Sequence, residues 1–325
     1  MKNYTILAPF DKYYNGVADF KIQLLPSAGD SDPNVVTRAK SGNLDYGYTK
    51  MVADVQALEG TPGITVTPID VRYTRLFYLN KFDKKDGSHA PLADVRVRQA
   101  LRYAIDMETI CETLFQGSAV PANALAPDAN LKGGDLNDYN YNPEKAKELL
   151  AEANWDPNTV IKAVYYYTDQ ATVDLMTAVQ AYLADVGIKM EFELVEGDLA
   201  TILWTAPADQ TNGPRAVDWD ICYAANAALS LHEYYDRYRT GSPTNSHTPE
   251  DAELNRLIDA TNASADVNAQ NEAFKELIKY ENENLFTMAL YYQPIFLITS
   301  DKIGDIQKGT PQFCINWDIQ NWNVQ

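Results

Sequence analysis

The chain has no apolar run long enough to cross a bilayer, few histidines and cysteines, and a shortage of positive charge, and each scarcity removes a class of function. A spanning helix needs about 18 or more consecutive apolar residues, and none of the 325 residues begins such a run. Cys111, Cys222 and Cys314 are odd in number, far apart and free of any CxxC pair. A disulfide framework is therefore not expected, and packing as small core residues is. His89, His232 and His247 are isolated, with no HExxH or HxH. Tight metal binding needs several ligands on one centre, so neither a metal nor a cofactor is expected. The GxSxG, GxxxxGKS/T and GxGxxG motifs are missing too, which removes the commonest hydrolase, NTPase and dinucleotide signatures. Lysine and arginine number 27 against 45 acids, a formal charge of −18. Nucleic acid and anionic membrane surfaces would be repelled, so neither is expected as a partner. The opening residues, MKNYTILAPFDKYYNG, lack the basic-then-apolar layout of a signal peptide.

What is present is enough apolar residue, 46% of the chain, for a sizeable core in two or three domains. The organising stretch is 91–117, PLADVRVRQALRYAIDMETICETLFQG, which predicts two short helices joined at an aspartate. Asp94 can cap the first, whose Val97, Leu101, Ala104 and Ile105 share a face while Arg96, Arg98 and Arg102 point elsewhere. Asp106 ends that helix and caps the next, where Ile110, Leu114 and Phe115 form the apolar face and Gly117 suits the left-handed end. Farther on, Asn142 and Pro143 open a helix with Ala146, Leu149, Leu150 and Ala153 on one side. Residues 160–168, 172–186 and 188–194 predict strand, helix and strand, a βαβ unit with parallel strands. Residues 217–224, VDWDICYA, predict a strand with Trp219, Ile221 and Tyr223 on one face. Helices are expected over 250–262 and 267–284, followed by a strand at 287–294. The fold class is α/β.

Four stretches carry a resemblance. The first, Asp94 to Tyr103 with one free position and on to Ile105 and Asp106, resembles the D-V-R-V-R-Q-A-L-x-Y-A-I-D segment of family 5 extracytoplasmic solute-binding proteins, the dipeptide and oligopeptide receptors of ABC importers. YNPEKAKELLAEANW, LADVGIKMEFE and TMALYYQP are similar to three further family segments in the family's order, and in the earlier AKSGNLDYGY, Asn43, Leu44 and Asp45 stand where Glu-Ile-Asp is usual. The resemblance implies a type II periplasmic-binding-protein-like fold of two lobes: 1–84 as partial first lobe and hinge, 85–288 as a complete mixed α/β second lobe, and 289–325 returning to the first. Hinge strands are expected near Asn80 and near residues 291–295. It further implies the C-terminal portion of a longer receptor, extracytoplasmic in the periplasm or as a surface lipoprotein although no signal is visible. Such a receptor is expected to be a monomer that holds a peptide or similar small polar solute between its lobes and hands it to ABC permease subunits.

Ligand contacts implied by the family's layout are Arg72, Tyr73 and Tyr78 on the strand entering the second lobe, and Tyr223, Asn226, His232, Glu233 and Tyr234 around the strand at 217–224. Peptide receptors of the family place an aspartate in that second region to pair with the ligand's α-amino group, because a buried ammonium without an opposite charge is costly. Here ANAALSLHEYYDRY replaces the aspartate-rich loop, and Glu233 is the available carboxylate. Without that pairing, a sugar, an opine-like compound or a modified peptide becomes the expected ligand. Two alternatives differ in kind. A glycoside hydrolase would need two carboxylates across a sugar, and Asp218 and Asp220 are the pair available, although residues two apart on a strand stand side by side on a solvated face. A peptide-pheromone receptor would share fold and site. The receptor reading needs no catalysis, so the chain is expected not to be an enzyme.

Overall fold

The computed structural model describes residues 4–25, 34–69, 73–126, 131, 133, 135–227, 233, 235–304 and 319–325; Cys314 and Trp317 lie outside them. In chain order the elements are β1 (Thr5–Leu7), β2 (Ile22–Leu24), α1 (Val35–Lys40), β3 (Tyr46–Thr49), α2 (Val52–Leu58), β4 (Ile64–Ile69), β5 (Tyr73–Leu79), α3 (Val95–Ala104), α4 (Met107–Thr113) and β6 (Val120–Pro121). There follow α5 (Pro143–Glu152), β7 (Val160–Tyr165), α6 (Gln170–Asp185), β8 (Lys189–Leu194), α7 (Leu199–Trp204), β9 (Ile221–Ala227), α8 (Ala252–Ala260), α9 (Val267–Asn284), β10 (Thr287–Tyr292), β11 (Ile295–Ser300), β12 (Ile303–Gly304) and β13 (Asn323–Val324). Two compact units divide the chain, residues 1–71 with 293–325 and residues 72–292. The expected boundaries after 84 and after 288 would have cut off β5 and split β10, yet both are inner strands of the larger unit's sheet. Asn80, expected at a hinge, is buried inside that unit and donates to the Trp219 carbonyl.

In the smaller unit, β3, β11 and β4 form an antiparallel sheet in that order. Val35, Ala39 and Leu58 of the two helices bury against Ile298 of its middle strand. The β1–β2 ribbon is largely exposed.

The larger unit is built on a six-stranded sheet, order β6-β10-β5-β9-β7-β8, in which β9, β7 and β8 are parallel and the remaining pairs antiparallel. Its central strand carries Leu76, Phe77, Tyr78 and Leu79, all buried, as a strand covered on both faces must. Because side chains alternate, Phe77 and Leu79 join Ile161, Ala163, Ile221 and Tyr223 on one face. There they meet Val97 and Leu101 of α3, Ile110 of α4, Leu149 of α5 and Leu175 of α6. Leu76, Tyr78, Cys222 and Ala224 face the other way, against Leu203 of α7, Leu254 and Leu257 of α8, and Phe274 and Leu277 of α9. The βαβ unit forms as expected with parallel β7 and β8, and β8 is the outer strand, which is why Leu194 stays exposed.

The helix pair forms at the expected caps. Asp94 accepts from the Arg96 N–H and Asp106 from the Thr109 N–H at 3.0 Å, while Gly117 sits at φ +72°. Arg98 and Arg102, off the apolar face, are nevertheless both buried. Arg98 donates to the Leu92 and Ala93 carbonyls and twice to the Asn284 carbonyl. It thus satisfies the end of α9, where Leu285 takes a left-handed conformation with no glycine to close the helix. Arg102 does the same for the Tyr139 and Ala122 carbonyls. Neither guanidinium is offered to a ligand.

Candidate functional site

The sheet of the larger unit has one edge at which chemistry collects. With β5 and β6 antiparallel to the others, the carboxyl ends of β10, β9, β7 and β8 coincide with the amino ends of β5 and β6. Open α/β sheets bind ligands outside such carboxyl ends. Register then brings together residues far apart in the chain: Val120 opposite Tyr292, Tyr292 opposite Thr74, Thr74 opposite Asn226, and Tyr223 opposite Tyr165.

At this edge a tyrosine cluster surrounds one arginine. Arg75 lies opposite Tyr291 on one side and Ala225 on the other, so all three share a face. A break in β10 register between Ala289 and Tyr291 resets the strand just before Tyr291. Tyr291 and Tyr223 join their hydroxyls at 2.7 Å. The Arg75 guanidinium carbon stands 4.3 Å over the Tyr167 ring centre and 5.9 Å from that of Tyr223. Tyr167 meets Tyr223 edge to face and bonds Tyr166 hydroxyl to hydroxyl at 3.1 Å, and Phe115 packs on Tyr291. Burial pushes the Tyr291 phenol up to about 12 and those of Tyr167 and Tyr223 upward as well. At neutral pH these rings therefore supply hydroxyls, not charges. Beside them, Tyr292 donates to the Ala124 carbonyl at 2.6 Å and Thr74 to the Leu125 carbonyl at 2.5 Å, which pins the segment after β6 along the same edge.

The sequence-derived contacts fall unevenly on this frame. Tyr223 is in the cluster, Asn226 is on β9 opposite Thr74, and Tyr73 begins β5. Glu233, which follows β9 in the chain, is exposed. Arg72, His232 and Tyr234 lie outside the described residues. Tyr78 is displaced from the group for a simple reason: five residues along a strand from Tyr73 amount to roughly 17 Å. It is buried at the other end of β5, stacked on His247 and edge-on to Trp204. The expected hydrolase pair also dissolves. β9 starts at Ile221, so Asp218 and Asp220 precede it, and Trp219 packs with the opposite face from Ile221 and Tyr223. Asp220 is fully buried, paired with Arg215 at 2.6 Å and accepting from the Lys162 N–H, while Asp218 is mostly exposed and pairs with the Lys162 ammonium. Both carboxylates reach Arg215, Asp218 at 3.4 Å, but only Asp218 is open to solvent. No group of three or more metal-ligating side chains exists among the described residues.

Comparison with known proteins decides the family. Residues 2–248 match the family described as bacterial extracellular solute-binding proteins, family 5 Middle. This chain belongs to that family. The family 5 chain is 48% identical over 64 residues to the dipeptide-binding protein of Escherichia coli, a stretch that covers 19% of this chain and 12% of that one. It has the fold of AppA, the oligopeptide-binding protein of Bacillus subtilis solved with a nonapeptide (TM-score 0.77, 18% identity, 99% of this chain and 64% of that chain). It also has the fold of AgaA from A. tumefaciens R10, solved with agropinic acid (TM-score 0.78, 19% identity, 99% and 64%). The chain therefore spans less than two thirds of the length of these relatives. No described helix is long and apolar enough to cross a membrane.

Within the family 5 chain, the residues that sequence reasoning passed over are Arg75, Tyr167 and Tyr291. Two signals were available. Arg75 is a lone charge inside the otherwise apolar RLFYL of a central strand, and Tyr165, Tyr166 and Tyr167 are consecutive at the end of a parallel strand just before the Asp169 cap of α6.

Proposed function

We propose that this chain is the solute-binding component of an ABC importer, holding a peptide or similar small polar solute at the carboxyl edge of the six-stranded sheet and delivering it to a membrane permease. The observation that carries this reading is the Arg75 and tyrosine cluster at that edge in a chain of family 5. Aromatic walls with a few fixed polar groups suit capture and release. Tyr73, Tyr223 and Asn226 contact the solute, with Arg72, His232 and Tyr234 from the adjoining segments, and Glu233 pairs with its ammonium group when one is present. In this reading capture makes and breaks no bond, with the cluster tyrosines neutral and Asp220 held by Arg215. The receptor works outside the cytoplasm as a monomer.

Calorimetric titration with a dipeptide to pentapeptide library tests this. Saturable heat is expected, weakened for free-amine peptides in Glu233→Ala but not for their N-acetylated forms. Absence of binding to every peptide, or peptides returned cleaved by an activity that Asp218→Asn abolishes, overturns it.

A further inference from the structure

We propose that residues 245–248 form an acid-released latch of the larger unit, in which His247 seats the segment only while its imidazole is neutral and a proton on the ring frees it. The latch lies at the far end of β5 from the candidate site, so this inference does not rest on the solute-binding reading.

Asn245, Ser246, His247 and Thr248 are all polar, yet none is more than 1% exposed. Such a stretch stays inside only if its polar groups find partners. The Asn245 side-chain amide donates to the Thr248 carbonyl at 2.8 Å, its oxygen accepts the Thr248 N–H at 2.9 Å, and the Ser246 hydroxyl donates to the Leu203 carbonyl at 2.7 Å. The His247 carbonyl accepts the Lys81 N–H at 2.9 Å, just past the end of β5. The His247 ring stacks on Tyr78 with centres 4.9 Å apart, meets Tyr238 at 5.0 Å, and bonds the Thr248 hydroxyl through Nδ1 at 2.7 Å. Its Nε2 is buried and has no partner.

That orphan nitrogen sets the direction of the switch. A neutral ring can keep Nε2 as a bare lone pair, whereas a protonated ring carries N–H there, and a buried charge without an acceptor is strongly disfavoured. The described groups around the ring supply no anion. From β5 and just beyond it come the Tyr78 phenol and the Lys81 ammonium, and before β9 the Trp219 indole N–H, itself a donor without a partner. Farther along the chain stand Arg237 and Tyr238, the latter bonded to the Thr287 hydroxyl of β10. Burial pushes the Tyr78 phenol up to about 12 and raises the Cys222 thiol of β9, so both stay neutral. Glu281 of α9 acts on Lys81 and Tyr238, but it accepts the Thr287 N–H and, raised to about 8, is itself protonated in acid. Burial first, and then the Lys81 and Arg237 charges, hold the His247 imidazole well below its ordinary 6.5. A released imidazole takes up a proton near 6.5 and the seated one does not, so the hold on the segment weakens as pH falls below 6.5.

Hydrogen exchange of the full chain, resolved to single amides and corrected for intrinsic rates, tests this at Lys81, His247 and Thr248. His247→Gln is the comparison, because its amide takes no proton, while Glu281 and Lys81 are common to both proteins and cancel. Between pH 7.5 and pH 5.0 the opening constant of the unaltered chain relative to the variant should rise about thirtyfold at those amides, the gain from one proton taken up near 6.5. No such rise is expected at Ala163 and Val164 of β7. A ratio that does not change with pH overturns the latch, and so does an equal rise at the β7 amides, since the whole unit would then be opening. The unaltered chain supplies a second measurement that needs no variant to fold. In nitrogen-15 spectra at pH 5.5, at least one of the three imidazoles should remain neutral, with two unlike ring nitrogens. All three protonated while residues 245–248 stay protected contradicts the proposal.

Discussion

Glu281 gives the sharpest physical prediction because its sign and size both follow from where it sits. It is buried in the last turn of α9, near the negative end of the helix, and accepts the Thr287 N–H at 3.3 Å. Burial raises its carboxyl from the ordinary 4.5 to about 8, against smaller pulls downward from the Thr287 bond and the Lys81 charge. Between those two values the folded chain holds a proton that the unfolded chain has lost, so stability falls as pH rises. At 1.36 kcal/mol per unit over about 3.5 units, the total is about 5 kcal/mol. Lys81, pushed well below 10.5 by burial, works in the opposite direction, since its unfolded form carries the extra proton and its folded form loses stability as pH falls. The comparison of Glu281→Gln with the unaltered chain removes the first term and keeps the second in both proteins. Hydrogen exchange of the β10 amides at pH 5 and at pH 8, corrected for intrinsic rates, reads the larger unit alone. The variant should gain about 4 kcal/mol relative to the unaltered chain between those pH values. A difference that does not change with pH would show that Glu281 titrates as an ordinary exposed acid, and the reasoning from burial would fail.

Three further outcomes are expected. Asp220→Asn leaves the buried Arg215 guanidinium with only the mostly exposed Asp218, at 3.4 Å, and should cost about 3 to 5 kcal/mol in urea unfolding; a loss below about 1 kcal/mol would mean that the pair is dispensable. Asp106→Ala removes the cap that receives the Thr109 N–H and hydroxyl, and should cost about 1 kcal/mol with no change in solute affinity. Tyr223→Phe breaks the hydroxyl pair with Tyr291 and should cost about 1 to 2 kcal/mol and weaken solute binding measured by calorimetry; unchanged affinity would remove the pair from the site.

Much of the larger unit was legible because its signals are local. Aspartate and asparagine caps at 94, 106 and 142 open α3, α4 and α5, and each accepts a backbone N–H of the first turn. The alternation in IKMEFE marks β8 and its exposed side. Errors arose where a distant partner overrides a local pattern. Trp219, Ile221 and Tyr223 alternate in sequence, but Arg215 and the Lys162 N–H hold Asp220, and the chain turns at that point so that Trp219 goes to the other face. Arg98 and Arg102 lie off the apolar face by helical period, and the carbonyls that draw them inward belong to Asn284, Tyr139 and Ala122, which no period can place. The candidate site was half visible for the same reason. β9 was singled out with Tyr223 and Asn226 on it, whereas Arg75 stands out only once the sheet brings Tyr167 and Tyr291 beside it.

The most direct test of the account is the fate of the solute. The chain should be incubated with a defined peptide mixture, washed, and its retained molecules released and weighed by mass spectrometry. Saturable retention of peptides whose masses are unchanged after prolonged incubation is the predicted result. Retained or released peptides of altered mass, accumulating with time in proportion to the protein present, would contradict it.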